Sequence, residues 1–204
     1  MLDYSYKEIE CPSIGFYKEK GSKFIAYSYP IYSRKEVRKR LQEVKKLEHA
    51  ARHHCYAYAL EPDRSIQRVN DDGEPSYTAG KPILGQILSN NLTNILIVVT
   101  RYFGGVKLGV PGLINAYKAA AYNAISQAEI ITKIIQKEYE VIFKYAQMND
   151  VMRIIKQHDL KIIDTDFRIE CKLKFTVAKD REELILNMLQ KNHKLTIKHI
   201  ENIQ

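Results

Sequence analysis

The sequence predicts an α+β protein of two domains, and three observations carry that prediction. Residues 137–203 read in the order βαββαβ. The run ILIVVT at 95–100 is apolar on both faces, the pattern of a strand in the middle of a covered sheet. The chain has 204 residues, of which 45% are hydrophobic and 27% charged, enough for the cores of one or two domains.

The elements follow in order. Residues before 30 read as strands, with FIAYSY at 24–29 following the turn signal Gly21-Ser22. Ser33 opens a helix, and Glu36 three positions on completes a capping box. Val37, Leu41 and Val44 share one side of that helix at ~100° per residue, with Glu48 at its foot. Arg34, Lys35, Arg38, Lys39, Lys45 and Lys46 gather in an arc of roughly 140°. Such an arc is either a solvated face or a ridge that contacts phosphates. HCYAYAL at 54–60 is a strand, and the polar stretch 61–80 places a hairpin turn at Asp72-Gly73. Lys81-Pro82 starts a helix through Ile83, Leu84, Ile87 and Leu88, which Asn90-Asn91 ends. Beyond the strand at 95–100 lies RYFGGVKLGVPG, then an alanine- and tyrosine-rich helix over 113–128.

After a short connection at 130–136 come a strand (138–145), a helix (146–157) and two strands (160–166 and 169–177). A helix capped by Asp180, with Glu183 three residues on, and a strand over 195–203 complete the chain. This order is that of the ferredoxin-like plait. The predicted domains are therefore 1–132 and 137–204.

The net charge is +8, with +5 up to residue 132 and +3 beyond it. The isoelectric point of about 9.2 matches the electrostatic footprint of nucleic-acid binders. No apolar run approaches the ~20 residues of a membrane helix. The opening MLDYSYKEIE is polar, unlike a signal peptide. Cys11, Cys55 and Cys171 are odd in number and widely spaced, which argues against a disulfide framework. A cytoplasmic protein with no membrane partner is expected.

Four clusters bear on chemistry. In TRYFGGVKLGVPGL (100–113) glycines leave backbone amides open before a helix, with Arg101 and Lys107 nearby. The alternative is a tight strand-to-helix turn. In RHHC (52–55) strand alternation puts His53 with Cys55 on one face and His54 with Tyr56 on the other. That is too few converging ligands for zinc. Asp71, Asp72 and Glu74 form either a polar turn or an acid–base or Mg²⁺ cluster. Tyr27 with Tyr29, and Tyr56 with Tyr58, share faces as base-stacking platforms or as core edges.

Three stretches, ARHHCYAYAL, NDDGEPSYTAGKP and TRYFGGVKLGVPGL, resemble the IMPACT/YigZ family. The resemblance implies a first domain like ribosomal protein S5 domain 2 and elongation factor G domain IV, an α/β sandwich. It implies a second domain like the ferredoxin-like domains of that factor. The implied role lies in translation or its regulation, through RNA or ribosome contact, with no established catalysis. Eukaryotic relatives restrain a stress-activated kinase through an extra N-terminal domain, and that activity is not carried to this chain, which opens on first-domain strands. The family motifs mark an anion or ligand site at His53, Asp71, Asp72, Glu74 and Lys81. They continue at Arg101, Gly104, Gly105, Lys107 and Gly109. Pro111 and Asn115 depart from the family, where glycine and arginine are common.

The leading expectation is a non-enzymatic, translation-associated protein that binds RNA or the ribosome. Arg34, Arg38, Lys39, Lys45 and Lys46 would then hold phosphates. The alternative is an enzyme acting on a phosphorylated small molecule or nucleotide, with the glycine loop as cradle and the 71–74 turn as base. A protein–protein adaptor of the translation machinery is the third reading. No catalytic residue, metal set or cofactor is assigned.

Overall fold

The computed structural model describes residues 4–168 and 170–200. They divide into two compact units, one spanning Ser5–Lys133 and the other Tyr4 with the described residues from Ile134 onward. Both mix helices with antiparallel sheets, as the α+β prediction requires.

The first unit runs β1 (Ser5–Ile9), β2 (Ser13–Glu19), β3 (Ser22–Pro30), α1 (Arg34–Leu47) and β4 (His53–Leu60). It continues with β5 (Ile66–Asn70), α2 (Gly80–Ser89), β6 (Ile95–Tyr102), α3 (Gly109–Ser126) and β7 (Ile130–Ile134). Five strands form one antiparallel sheet in the order β2-β3-β6-β4-β5. The strand apolar on both faces, β6, is its centre. Ile95, Ile97 and Val99 point to one side, where they pack with α2 and α3; Leu96 and Val98 point to the other, under α1. Helices thus cover the sheet on both sides.

The capping box at Ser33 forms with one adjustment. Ser33 Oγ accepts the Glu36 amide at 3.2 Å, while the Glu36 carboxylate reaches the Tyr32 amide at 2.9 Å, one residue before the cap. Val37 and Val44 are buried, and Glu48 accepts hydrogen bonds from the Tyr27 and Tyr102 hydroxyls. Tyr27 and Tyr58 are themselves buried in this layer, Tyr56 stacks on Tyr58, and Arg40 lies over Tyr29. Tyr27 and Tyr58 thus belong to the core of this layer, and Tyr29 and Tyr56 sit partly buried at its edge.

Three local expectations need correcting. Residues 61–80 contain the edge strand β5, and the β4–β5 hairpin turns at 61–65, where Glu61 and Arg64 take positive φ. Asp72-Gly73 is a turn, with φ of 40° and 87°, but it leads into α2 rather than joining strands. The connection at 130–136 is mostly strand β7, which pairs with β1.

The second unit contains β8 (Gln136–Phe143), a single 3-10 turn (Tyr145–Gln147), α4 (Met148–Gln157), β9 (Lys161–Phe167) and β10 (Cys171–Ala178). It ends with α5 (Glu182–Gln190) and β11 (Thr196–Ile200). Its sheet order is β11-β8-β10-β9, all antiparallel, and α4 and α5 bury Val151, Ile155, Ile185 and Leu189 against it. Asp180 does not cap α5: Arg181 takes the cap position without a side-chain bond, and Glu182 and Glu183 fill the first turn instead. Ile169, and the end of the last strand predicted to reach 203, lie outside the described residues.

Candidate anion site at the start of α3

The site begins with strand register. Phe24 of β3, Arg101 of β6 and His53 of β4 lie side by side across three neighbouring strands. Alternation sends this row to the α3 side of the sheet, at the end of the apolar rows Ile95–Ile97–Val99 and Cys55–Ala57–Ala59. Two basic side chains therefore end rows that are otherwise core. Arg101 is buried, with its side chain 8% exposed, and a buried guanidinium is costly unless paired.

Its partner is Glu74, whose side chain is 4% exposed and lies 2.7 Å from Arg101 Nη1. Tyr117 of α3 donates to the same carboxylate oxygen at 2.8 Å. His53 Nε2 stands 4.0 Å from that oxygen, and His53 Nδ1 lies 2.9 Å from the Asp72 carbonyl. A carbonyl only accepts, so Nδ1 carries the proton and Nε2 faces Glu74. Arg101 Nε is buried and has no hydrogen-bond partner among the described residues.

These groups border a cavity of about 560 Å³, lined by Arg52, His53, Glu74 and Pro75 on one side. Arg101, Phe103, Lys107, Leu108 and the first turn of α3, through Gly109, Val110 and Leu113, line the other. That turn has no side-chain cap and no acidic residue. Its free amides and the helix dipole favour negative charge, although Pro111 withholds one donor. Three cationic side chains (Arg52, Arg101 and Lys107), one carboxylate already engaged, and an open helix start make a concave site suited to an anion.

Of the ten residues marked by the family motifs, the structure brings five to this cavity: His53, Glu74, Arg101, Lys107 and Gly109. The other five do different work. Asp71 accepts the amides of Ala79 (3.0 Å), Gly80 (2.8 Å) and Tyr77 (2.9 Å), which fixes the start of α2. Asp72 accepts the His54 amide at 2.7 Å and approaches Lys45 at 3.9 Å. Lys81 does not line the cavity; its ammonium sits over the Tyr77 ring, 3.9 Å from the centroid. Gly104 packs against the β2–β3 turn so closely that a Cβ would lie 1.9 Å from the Gly21 carbonyl carbon. Gly105 has φ of +89°, a left-handed conformation that favours glycine. As a result the three acidic residues do not form one cluster, and only Glu74 reaches the site.

Cys55 is buried, its Sγ 3.0 Å from the Asp71 carbonyl and 3.3 Å from the Tyr117 hydroxyl. Burial pushes its thiol well above the ordinary range, the opposite of what a nucleophile needs. Burial first, and then Cys55 and Glu74, raise the Tyr117 phenol likewise. Sequence reasoning missed Arg52, Phe103 and Tyr117. For Tyr117 the available signal was one large polar-tipped residue on a buried helix face otherwise made of alanines with Leu113 and Ile125. The α1 cations lie elsewhere: Arg34, Arg38, Lys39 and Lys46 are exposed and make no ion pair among the described residues, and Lys45 approaches Asp72.

Comparison with known proteins places this site within a shared segment. The model of the Impact N-terminal domain matches residues 20–125, which include every residue lining the cavity. IMPACT family member YigZ of Escherichia coli is 40% identical over 136 residues, 65% of this chain and 67% of its own. An IMPACT family member of Haemophilus influenzae is 33% identical over 156 residues, 76% of each chain. A crystal structure described as that of a hypothetical protein is 29% identical with a TM-score of 0.76, covering 98% of this chain and all of that one. On the matched N-terminal domain and these relatives, the chain belongs to the IMPACT/YigZ family.

Proposed function

We propose that this protein is a non-enzymatic, translation-associated factor of the cytoplasm that binds RNA or the ribosome. The observation that carries the reading is the α1 ridge. Arg34, Arg38, Lys39, Lys45 and Lys46 project from a helix whose other side is anchored in the core by Val37 and Val44. A row of cations on a rigid element, largely free of ion pairs, exchanges counterions for phosphates at little ordering cost. The net charge of +8 adds long-range attraction. Family membership supports a place in translation through the role that the resemblance implies.

The same proposal assigns the domains. Residues 1–132 form a unit like ribosomal protein S5 domain 2, with helices on both sides of a five-stranded sheet. Residues 137–204 form a ferredoxin-like plait, supported by the strand order fourth-first-third-second.

Co-sedimentation of the purified chain with ribosomes and with free RNA, across a salt series, tests the reading. Arg38→Glu with Lys39→Glu is expected to weaken binding and to lower the salt slope by about two. Both side chains are exposed, so folding is retained. Unchanged affinity and slope in that variant would overturn the assignment to the ridge.

A further inference from the structure

We infer that the cavity at the start of α3 binds a phosphomonoester carried on a flat or apolar body, of which a nucleoside 5′-monophosphate is the simplest example. This does not rest on the α1 ridge.

The charge argument comes first. Three cations, Arg52, Arg101 and Lys107, line the cavity beside the His53 imidazole, against one carboxylate, Glu74, which Arg101 and Tyr117 already hold. An acid–base role for Glu74 would need it free to exchange protons with a ligand. Instead it fixes Arg101, whose buried Nε keeps an unused donor. The first turn of α3 adds amides with no competing side-chain acceptor. Arginine and lysine around a helix start fit the several oxygens of a phosphate.

The apolar lining sets the rest of the ligand. Phe103 is 46% exposed and Val110 51% exposed, and both border the cavity. A bare inorganic anion leaves them in water, whereas a ring attached to the phosphate covers them. The volume of about 560 Å³ lies within the range of small-molecule sites, roughly 300–1,000 Å³. The loop has no Lys-Ser/Thr after its last glycine, so it lacks the cradle for a triphosphate tail.

A free nucleotide and the 5′-phosphorylated end of an RNA offer the same chemistry, and calorimetric titration of the full chain distinguishes them. The probes are adenosine 5′-monophosphate, adenosine, inorganic phosphate, and a short oligoadenylate with and without a 5′-phosphate. The monophosphate is expected to bind saturably, phosphate more weakly, and adenosine not at all. Arg52→Ala and Lys107→Ala, both at exposed positions, should each weaken it by about tenfold or more, the loss of one charge-assisted hydrogen bond. Arg38→Glu with Lys39→Glu should leave it unchanged. Binding of the 5′-phosphorylated oligomer alone, lost in Lys107→Ala, would keep the phosphomonoester site and assign it to an RNA end. The inference is overturned if no phosphomonoester binds saturably, or if the ridge variant abolishes binding that Arg52→Ala and Lys107→Ala spare.

Discussion

Two helices pack on the same side of the same sheet, yet their first turns are treated in opposite ways. The start of α2 is closed by Asp71, which accepts three backbone amides from 6 to 9 residues downstream. The start of α3 has no acid, no side-chain cap and a cavity in front of it. In the second unit, α5 offers a third solution, with its own Glu182 and Glu183 in the first turn. A helix start needs negative charge or acceptors. Where the chain supplies them the end is structural. Where it surrounds the end with cations instead, the missing charge is left to a ligand.

The largest effect that would break this comparison is at the pair that shapes the cavity. Arg101→Met alone should lower stability by about 3–5 kcal/mol in urea unfolding, since it leaves the Glu74 carboxylate buried without its ion-pair partner. Adding Glu74→Leu should restore much of that loss. If the single change is harmless, the pair does not hold the site. Asp71→Ala comes next, with an expected loss of about 2 kcal/mol and faster amide exchange at Ala79 and Gly80. Full protection of those amides would show that α2 does not depend on Asp71.

The effect at α5 is smaller and depends on pH. Burial works to raise the Glu182 carboxyl, but the Tyr139 hydroxyl and the Lys137 ammonium, 2.9 Å away, outweigh it and hold the group below its ordinary value of 4.5. The folded state therefore binds this proton less readily than the unfolded chain. The stabilisation is present above pH 4.5 and is lost as pH falls through the lowered folded value. Glu182→Gln should remove this acid dependence, read by hydrogen exchange in β8 and α5. The smallest expected change in stability sharpens the contrast most. Val110→Asp puts an acid into the exposed first turn of α3 and should raise stability by about 0.5 kcal/mol. It should also abolish nucleotide binding. If binding survives, the helix start is not where the phosphate sits.

Much of this fold is legible in local pattern. Both-face apolarity located β6 at the centre of its sheet, and Ser33 with Glu36 located the start of α1, because each signal is complete within a few residues. The errors share a physical cause. β5 has Gln67, Arg68 and Asn70 where a strand signal needs apolar residues, since it is an edge strand with little to bury. The α3 helix starts at Gly109, four residues before the predicted Leu113, because Gly109, Pro111 and Gly112 have low helix propensity and packing overrides it. The site was half legible. The motifs marked His53, Glu74 and Arg101, but the alignment of His53 with Arg101 is a matter of register between β4 and β6, and Glu74 reaches them from the turn before α2. The sequence likewise gives no local sign that Asp71 turns away to α2 while Glu74 turns inward.

The place of Tyr117 has an optical consequence. The chain contains 14 tyrosines and no tryptophan, so phenols alone dominate its near-ultraviolet absorbance. Burial, with Cys55 and Glu74 beside it, raises the Tyr117 phenol, which holds its proton beyond the ordinary range. An alkaline titration thus separates a late-ionising class to which Tyr117, the donor to the Glu74 carboxylate, belongs. Within it, the difference between wild type and Tyr117→Phe reports on the residue that holds Glu74 from behind, with no label attached.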